Sequence, residues 1–430
     1  SARELKKMNG YYDALVPFKN QLKCTDTLTA VWITVQCPSR VPVGKYHQTI
    51  KIEGSKHFTI QLDYNVHHTT IPLKSSIPIT VGVENRCMTE CLNDKEADKE
   101  RQRWVDFVLS YRMTPVFGTQ ITPERWQYEH SFSPWAWNDK RSIRLLNDRR
   151  YSCYMLPFFT LSENELASLL CNIQKKGKLK ESLFYIWDEP AYMEDYEQIK
   201  RKVNIIRKYA SDARILTTFF CGPRNGPRKG DLYAVFDYLK HHIHVATISL
   251  APCKGNEEEV QHIRYKVPEG IDWWSYVCWQ PGGNEPNFLL QMKGIQQRAI
   301  MWRTWKNGSQ GFLYWNCNIY HKRNPFTYIT DMPHGDGILI YPGDILGCKG
   351  PIASARLERW RDGAEEMELL RLVEKNYSKE KADTLLNIVY SSPLSFIEKA
   401  HNIPFFRKEL LDQLDKTIPI DYKLRITDFI

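Results

Sequence analysis

From residue 77 to residue 318 the chain repeats one pattern, a short apolar run suited to a strand followed by an amphipathic stretch suited to a helix. This alternation constrains the fold more than any other feature, because strand-helix units taken in order build a parallel sheet with helices on its faces. Eight strands are expected: IPITVGV (77–83), TPVFG (114–118), YSCYMLPF (151–158), SLFYIWDE (182–189), RILTTFF (214–220), VATISLAP (245–252), DWWSYVCW (272–279) and GFLYWNCN (311–318). The helices between them show in period and caps. Ser162 and Glu165 make a capping box ahead of Leu166, Leu169, Leu170 and Ile173, and Gly177 stands where a C-terminal cap belongs. Tyr196, Ile199, Val203 and Ile206 form one apolar stripe, Ile295, Ala299, Trp302 and Trp305 another, and both read as core packing. Eight such units close most naturally into an α/β fold of the (β/α)8 TIM-barrel type, somewhat larger than the usual ~250 residues. An open doubly wound sheet would want a glycine-rich phosphate loop after an early strand, and VGVENR (81–86) supplies none.

The flanks read differently. In HFTIQLDYNV (57–66), Phe58, Ile60, Leu62, Tyr64 and Val66 alternate with polar residues, the period of a half-buried strand. VWITVQCP (31–38) and KYHQTIKI (45–52) read as two more strands, joined through the Pro42 and Gly44 turn region. The expected organisation is a small N-terminal β-sandwich over 1–75, reduced or cut short, a barrel over 76–375, and a helical extension over 376–430. The barrel segment ends in a strong helix, RLERWRDGAEEMELLRLVEK (356–375).

Composition narrows the function classes. No run approaches the roughly 18 to 20 apolar residues of a membrane span. The opening SARELKKMNG has no apolar signal core, so the chain is expected to be soluble, with any export signal already removed. The net charge of +9 invites a nucleic-acid reading, but KKGKLK (175–180) is the only dense basic cluster and no nucleic-acid partner is expected. Eleven cysteines, from Cys24 to Cys348, show no repeated spacing of a disulfide framework or zinc ribbon. Cys87 with Cys91, and His241, His242 and His244, are the closest approaches to a metal motif; no metal and no organic cofactor is expected. Asn307-Gly308-Ser309 and Asn376-Tyr377-Ser378 fit the glycosylation acceptor pattern.

In a barrel of this type the chemistry sits at the C-terminal ends of the strands. The fourth ends in Asp188-Glu189, the seventh in Tyr276, Trp279 and Gln280, and the eighth in Tyr314, Trp315, Asn316 and Asn318. Aromatic walls stack on sugar rings while amides and carboxylates bond hydroxyls, so a carbohydrate substrate fits better than a phosphate or a lipid. Two-carboxylate glycosidases hold their groups about 5 to 9.5 Å apart across the sugar. Neighbours at one strand end reach the same side instead, which suits a substrate that supplies its own nucleophile. If that nucleophile is the 2-acetamido oxygen of an N-acetylhexosamine, Asp188 orients the acetamide and Glu189 serves as general acid and then base. The bland alternative is an Asp-Glu-Pro that opens a loop before a helix beginning around Asp195.

YIWDEP (185–190), DWWSYVCWQP (272–281), GIQQRAIMWRTWKNGSQGFLYWN (294–316), GDGILIYPG (335–343) and SARLERWRDGAEEMELL (354–370) occur in the order found in glycoside hydrolase family 123, and the chain resembles that family up to about residue 375. VWITVQCP and KYHQTIKI also resemble the β-sandwich that precedes its barrel. The resemblance implies a retaining exo-β-N-acetylgalactosaminidase that acts on glycans or glycolipids through an oxazoline intermediate, without a cofactor. It places the catalytic roles on Asp188 and Glu189, an acetamide-bonding hydroxyl on Tyr276, and a sugar-hydroxyl contact on Asp336; Trp279, Tyr314, Trp315 and Asn316 complete the expected substrate contacts. The charges of Arg356, Glu358, Arg361 and Asp362 are expected to pair on a helix. The motif departs from the family pattern in ending AEEMELL. A β-N-acetylglucosaminidase, an endo-acting enzyme and a non-catalytic sugar-binding barrel remain as alternatives. The loops 119–150 and 319–335 are expected to select the aglycone. The resemblance suggests an exported or lysosomal enzyme, while the unpatterned cysteines are compatible with a reducing interior.

Overall fold

The computed structural model describes residues 1–416 except 9, 19–20, 24–28, 39–40, 123–126, 321–322 and 326–332. At the N-terminus, β1 (Ala2–Met8) pairs antiparallel with β2 (Tyr11–Pro17) and with β3 (Val31–Ile33), while β4 (Gly44–Ile52) and β5 (Phe58–Val66) form a separate hairpin. Its register sets Ile50 against Ile60, Ile52 against Phe58 and Tyr46 against Tyr64, so one face is apolar, as period-two alternation dictates. The sequence reading has three strands here and the structure five. ARELKKM is too charged to read as a strand, and the buried stretch of β2, Asp13 to Val16, is continuous and contains an acid. That acid is satisfied only in three dimensions, by Arg356 at 3.0 Å, with both side chains buried.

Each of the eight expected barrel runs contains a strand: β6 (Ile79–Glu84), β7 (Thr114–Thr122), then, after the extra β8 (Gln127–Ser131), β9 (Tyr154–Met155), β10 (Ser182–Trp187), β11 (Arg214–Phe219), β12 (Val245–Ser249), β13 (Asp272–Val277) and β14 (Phe312–Tyr314). They lie in the order β7-β6-β14-β13-β12-β11-β10-β9, all neighbours parallel, with β8 antiparallel on the outer edge of β7. The sheet curls until β7 and β9 approach, and there hydroxyl side chains and one backbone bond close the wall in place of a strand ladder. Thr114 and Ser152 hydroxyls meet at 2.7 Å, Ser152 N donates to Thr114 Oγ1 at 3.0 Å, and Phe132 N donates to Met155 O at 2.6 Å. Pro157, which has no N–H, ends β9 early on this side.

Strand alternation sorts the core into two shells. Val116, Met155, Leu183, Leu216, Val245, Trp274 and Leu313 fill the barrel, with Tyr185, Tyr276 and Trp315 packed on the same cluster nearer the strand ends. The opposite faces, including Val81, Phe184, Ile215, Ile248 and Phe312, pack against the helices. The helix Glu163–Lys175 starts at the expected Ser162–Glu165 capping box, Met193–Arg207 buries Tyr196, Ile199, Val203 and Ile206, and Gly294–Lys306 buries Ile295, Ala299, Trp302 and Trp305.

The long helix Ala355–Asn376 packs on Gly294–Lys306, where Arg298 pairs with Asp362 at 3.1 Å and also with the fully buried Glu366. Helices Lys379–Leu386 and Ile403–Asp415 follow, and the Trp302 ring meets Tyr390 and Phe406 edge-on at 6.3 and 5.9 Å. No helix among the described residues is long and apolar enough to cross a membrane. The ten described cysteines are free, and Cys24 lies outside the described residues. Asn307 is buried, which closes its sequon to modification in the folded chain, whereas Asn376 is exposed.

Candidate active site

β10 ends at Trp187 and delivers Asp188 and Glu189 to the barrel mouth, both exposed, before the buried Pro190. Glu189 takes φ 45°, a left-handed conformation that a side chain with a Cβ adopts only when its surroundings hold it. Asp188 is held from beneath. Tyr185 Oη and Thr218 Oγ1 each donate to Asp188 Oδ1 at 2.7 Å, and Glu189 N donates to Thr218 Oγ1 at 3.0 Å. Among the described residues no hydrogen bond falls on Asp188 Oδ2, which is left for a ligand. The Tyr276 hydroxyl donates to Glu189 Oε1. Although Glu189 as a whole residue is exposed, its carboxyl group is turned into the mouth, and that desolvation, then the charge of Asp188, push it above its ordinary value, while Tyr276 and Arg224 offset part of the rise. Glu189 therefore keeps a proton to higher pH than a free glutamate, which is what a general acid needs.

A second layer surrounds this pair. The His130 ring stacks on Tyr185 at 4.3 Å, and its burial lowers the imidazole to about 4, leaving it uncharged at neutral pH. Tyr128 has its hydroxyl pushed up to about 12 by burial and by the charges of Glu84 and Asp188, which places it in the field of both acids. Glu84, at the end of β6, is buried and raised, and its carboxylate accepts from Arg86 N at 3.2 Å.

The other side of the mouth is built around Asp336. Trp315 Nε1 and Tyr314 Oη donate to Asp336 Oδ1 at 2.9 and 3.2 Å, while Oδ2 is buried with no partner among the described residues. Burial raises this carboxyl to about 6. Its loop turns back over Trp315 at Gly337, φ 70°, where a Cβ would come within 2.5 Å of the indole. Arg356 fastens the same loop by donating to Gly335 O at 2.9 Å and Ile338 O at 2.5 Å, with Asp13 neutralising it from the other side. Glu358 is buried against Arg3, Tyr111 and Arg361. The charges of this helix thus pair within the protein.

The residues singled out in the sequence divide between several places. Asp188, Glu189 and Tyr276 come together. Trp315 shares the barrel-top cluster with Tyr276 and also holds Asp336. Tyr314 faces away from the barrel axis, fully buried against Phe288 at 4.5 Å, and reaches a ligand only through Asp336. Asn316 is buried, its Oδ1 accepting Asn318 N at 3.0 Å, and Asn318 in turn bonds the backbone of Glu84. Trp279 is 42% exposed beyond the end of β13. Parts of the two loops expected to choose the aglycone, 123–126, 321–322 and 326–332, lie outside the described residues. Tyr185, Thr218 and His130 were not expected. A pair of threonines, Thr217 and Thr218, inside an otherwise apolar buried strand was the available signal for one of them. His130 sits on β8, which the sequence did not announce.

Residues 99–373 match the sequence profile of the family described as glycoside hydrolase 123, catalytic domain. The chain belongs to glycoside hydrolase family 123. It is accordingly a glycosidase with a carbohydrate substrate. Among solved structures it is similar to a family 123 glycoside hydrolase from Clostridium perfringens, studied for the details of glycolipid glycan hydrolysis. That likeness has a TM-score of 0.66 at 15% identity, covers 97% of this chain and 85% of the other, and bears on the fold. A β-D-glucuronidase from Dictyoglomus thermophilum aligns at TM-score 0.37 and 10% identity over 74% of this chain and 57% of its own, too distant to carry an argument. The same holds for a Thermobacillus composti GH10 xylanase, at 0.34 and 13% over 67% of this chain and 96% of its own. No curated protein matches.

Proposed function

We propose that this glycosidase removes terminal β-linked N-acetylgalactosamine, with retention of configuration, by using the substrate's own acetamide as nucleophile. The observation that carries the reading is the adjacency of Asp188 and Glu189 together with their unequal settings. Asp188 is tied by two hydroxyl donors at 2.7 Å through one oxygen, with the other left open, while Glu189 is biased toward its protonated form. In the first step Asp188 Oδ2 accepts the acetamide N–H and steadies the positive charge that develops there. The acetamide oxygen closes on C1 as Glu189 gives its proton to the departing glycosidic oxygen. In the second step Glu189 takes a proton from water, the water oxygen bonds to C1, and the oxazoline ring opens with its electrons returning to the acetamide. Two inversions at C1 leave the β configuration. The Tyr276 hydroxyl gives its one proton to Glu189 Oε1 in the free enzyme, and turns it to the acetamide oxygen once the sugar is bound. Trp315 and Trp279 offer stacking faces, and the unpartnered Oδ2 of Asp336 an acceptor for a sugar hydroxyl. The Clostridium perfringens relative's link to glycolipid glycans supports glycans and glycolipids as the source of the sugar.

Hydrolysis of aryl β-GalNAc and aryl β-GlcNAc by the wild type, Asp188→Asn and Glu189→Gln tests this. The expected outcome is a preference for GalNAc and a loss of about 100-fold or more in each variant. Full activity in both variants rejects the mechanism, and a preference for GlcNAc reassigns the sugar. A GalNAc-thiazoline should inhibit competitively; an active enzyme indifferent to it uses a conventional nucleophile.

A further inference from the structure

We infer that Thr218 is a positioning residue for both carboxylates at once, a role that rests on the reading of Asp188 and Glu189 given above. Its one hydroxyl has two duties. The proton goes to Asp188 Oδ1 at 2.7 Å, and a lone pair receives Glu189 N–H at 3.0 Å. The Tyr185 hydroxyl completes a triangle, 2.7 Å from Asp188 Oδ1 and 3.1 Å from Thr218 Oγ1.

Proton bookkeeping fixes how the triangle works. Tyr185 and Thr218 bring one hydroxyl proton each, and both are used on Oδ1, so the third side carries none. Two donors converging on one oxygen suit an ionised carboxylate and pin its plane, which aims Oδ2 at the mouth. The acceptor side of Thr218 is then what remains for Glu189 N–H. That bond matters because Glu189 stands at φ 45°, where a non-glycine residue is strained and keeps the conformation only under constraint. Releasing the N–H lets the backbone relax and swings the acid away from the Tyr276 hydroxyl that it meets now. Thr218 is 1% exposed on β11, a rigid barrel strand next to β10, so the constraint is transmitted without a loop. Tyr185 is held in turn by the stacked His130 ring. No other side chain among the described residues bonds both members of the acid pair.

The two tethers separate in variants. Tyr185→Phe removes one donor from Asp188 and leaves Glu189 N–H satisfied; Thr218→Val removes a donor from Asp188 and the acceptor of Glu189; Thr218→Ser keeps both. On the aryl β-N-acetylhexosaminide that the wild type hydrolyses best, Thr218→Val should lower kcat by about 10- to 100-fold with KM little changed, because charge on the acetamide develops only in the transition state. Tyr185→Phe should lose less, and Thr218→Ser should recover most of the wild-type rate. Affinity for the thiazoline should fall in parallel with kcat/KM in these variants, while affinity for the free sugar product stays the same. Melting temperature is measured for each, and Thr218→Ser covers the case in which valine disturbs folding. If Asp188→Asn and Glu189→Gln lose activity but Thr218→Val keeps its kcat and its thiazoline affinity, the positioning role is overturned and the catalytic reading stands. Full activity in Asp188→Asn and Glu189→Gln overturns both. Equal losses in Thr218→Ser and Thr218→Val also overturn the proposal, since the hydroxyl would then not be the active feature.

Discussion

At the scale of single residues, two acids of the mouth, Glu189 and Asp336, both favour the protonated form, the first with consequences for activity and the second for stability. Glu189 is raised, so the proposed acid step is fully supplied at low pH and fails as pH rises through its folded value. Tyr276→Phe removes a donor that favours the charged form, so it should lower kcat and also move the alkaline limb of the kcat/KM profile to higher pH. An alkaline limb that stays put would mean that another group titrates there. Asp336 is a stability matter. Its carboxyl rises from 3.8 to about 6 on folding, so the native state holds the proton more tightly than the unfolded chain. Charging it is penalised by an amount absent below pH 3.8, growing as pH rises toward 6, and on the order of 3 kcal/mol above that. Asp336→Asn should therefore lose less melting temperature than the wild type between pH 4 and pH 7, while losing sugar affinity. The acid pair was legible in the sequence because its members are contiguous at a strand end. Tyr185, Thr218 and His130 were not, because their roles come from β10, β11 and β8 lying together, which no local pattern encodes.

At the scale of elements, the strands were legible because buried parallel strands are written as unbroken apolar runs. What those runs do not say is which residues look inward. Trp274 and Tyr276 fill the barrel while Trp273 and Val277 face the helices, and only the register of β13 between β12 and β14 decides it. Trp274 is the largest side chain in the interior cluster, and Trp274→Ala should cost about 3 to 5 kcal/mol in a denaturant titration. Gly82 on β6 is a sharper case. A Cβ there would lie 1.9 Å from the backbone carbonyl oxygen of Trp315, so Gly82→Ala should push apart the strand end that carries Trp315. The expected result is a loss of about 1 to 3 kcal/mol with a rise in KM, read from unfolding and from kinetics on the same preparation.

At the scale of the whole molecule, the N-terminal strand β2 and the barrel mouth are parts of one electrostatic assembly. Asp13 on β2 neutralises Arg356, and Arg356 holds both backbone carbonyls that bracket the Asp336 loop. Asp13→Ala should cost about 3 to 5 kcal/mol by leaving a buried guanidinium unpaired, and it should weaken sugar binding although Asp13 is not at the mouth. An unchanged KM would show that the loop is held by other means. Arg356 was expected to pair on its own helix; its actual partner was not legible, since 343 positions separate the two charges along the chain. The same link bears on where the protein can be divided. The family profile begins at residue 99, beyond Asp13 and also beyond β6, which sits between β7 and β14. A gene fragment trimmed to that match would encode a barrel with a missing stave and an arginine without its counterion, so the stretch that identifies the family is shorter than the stretch that has to be expressed.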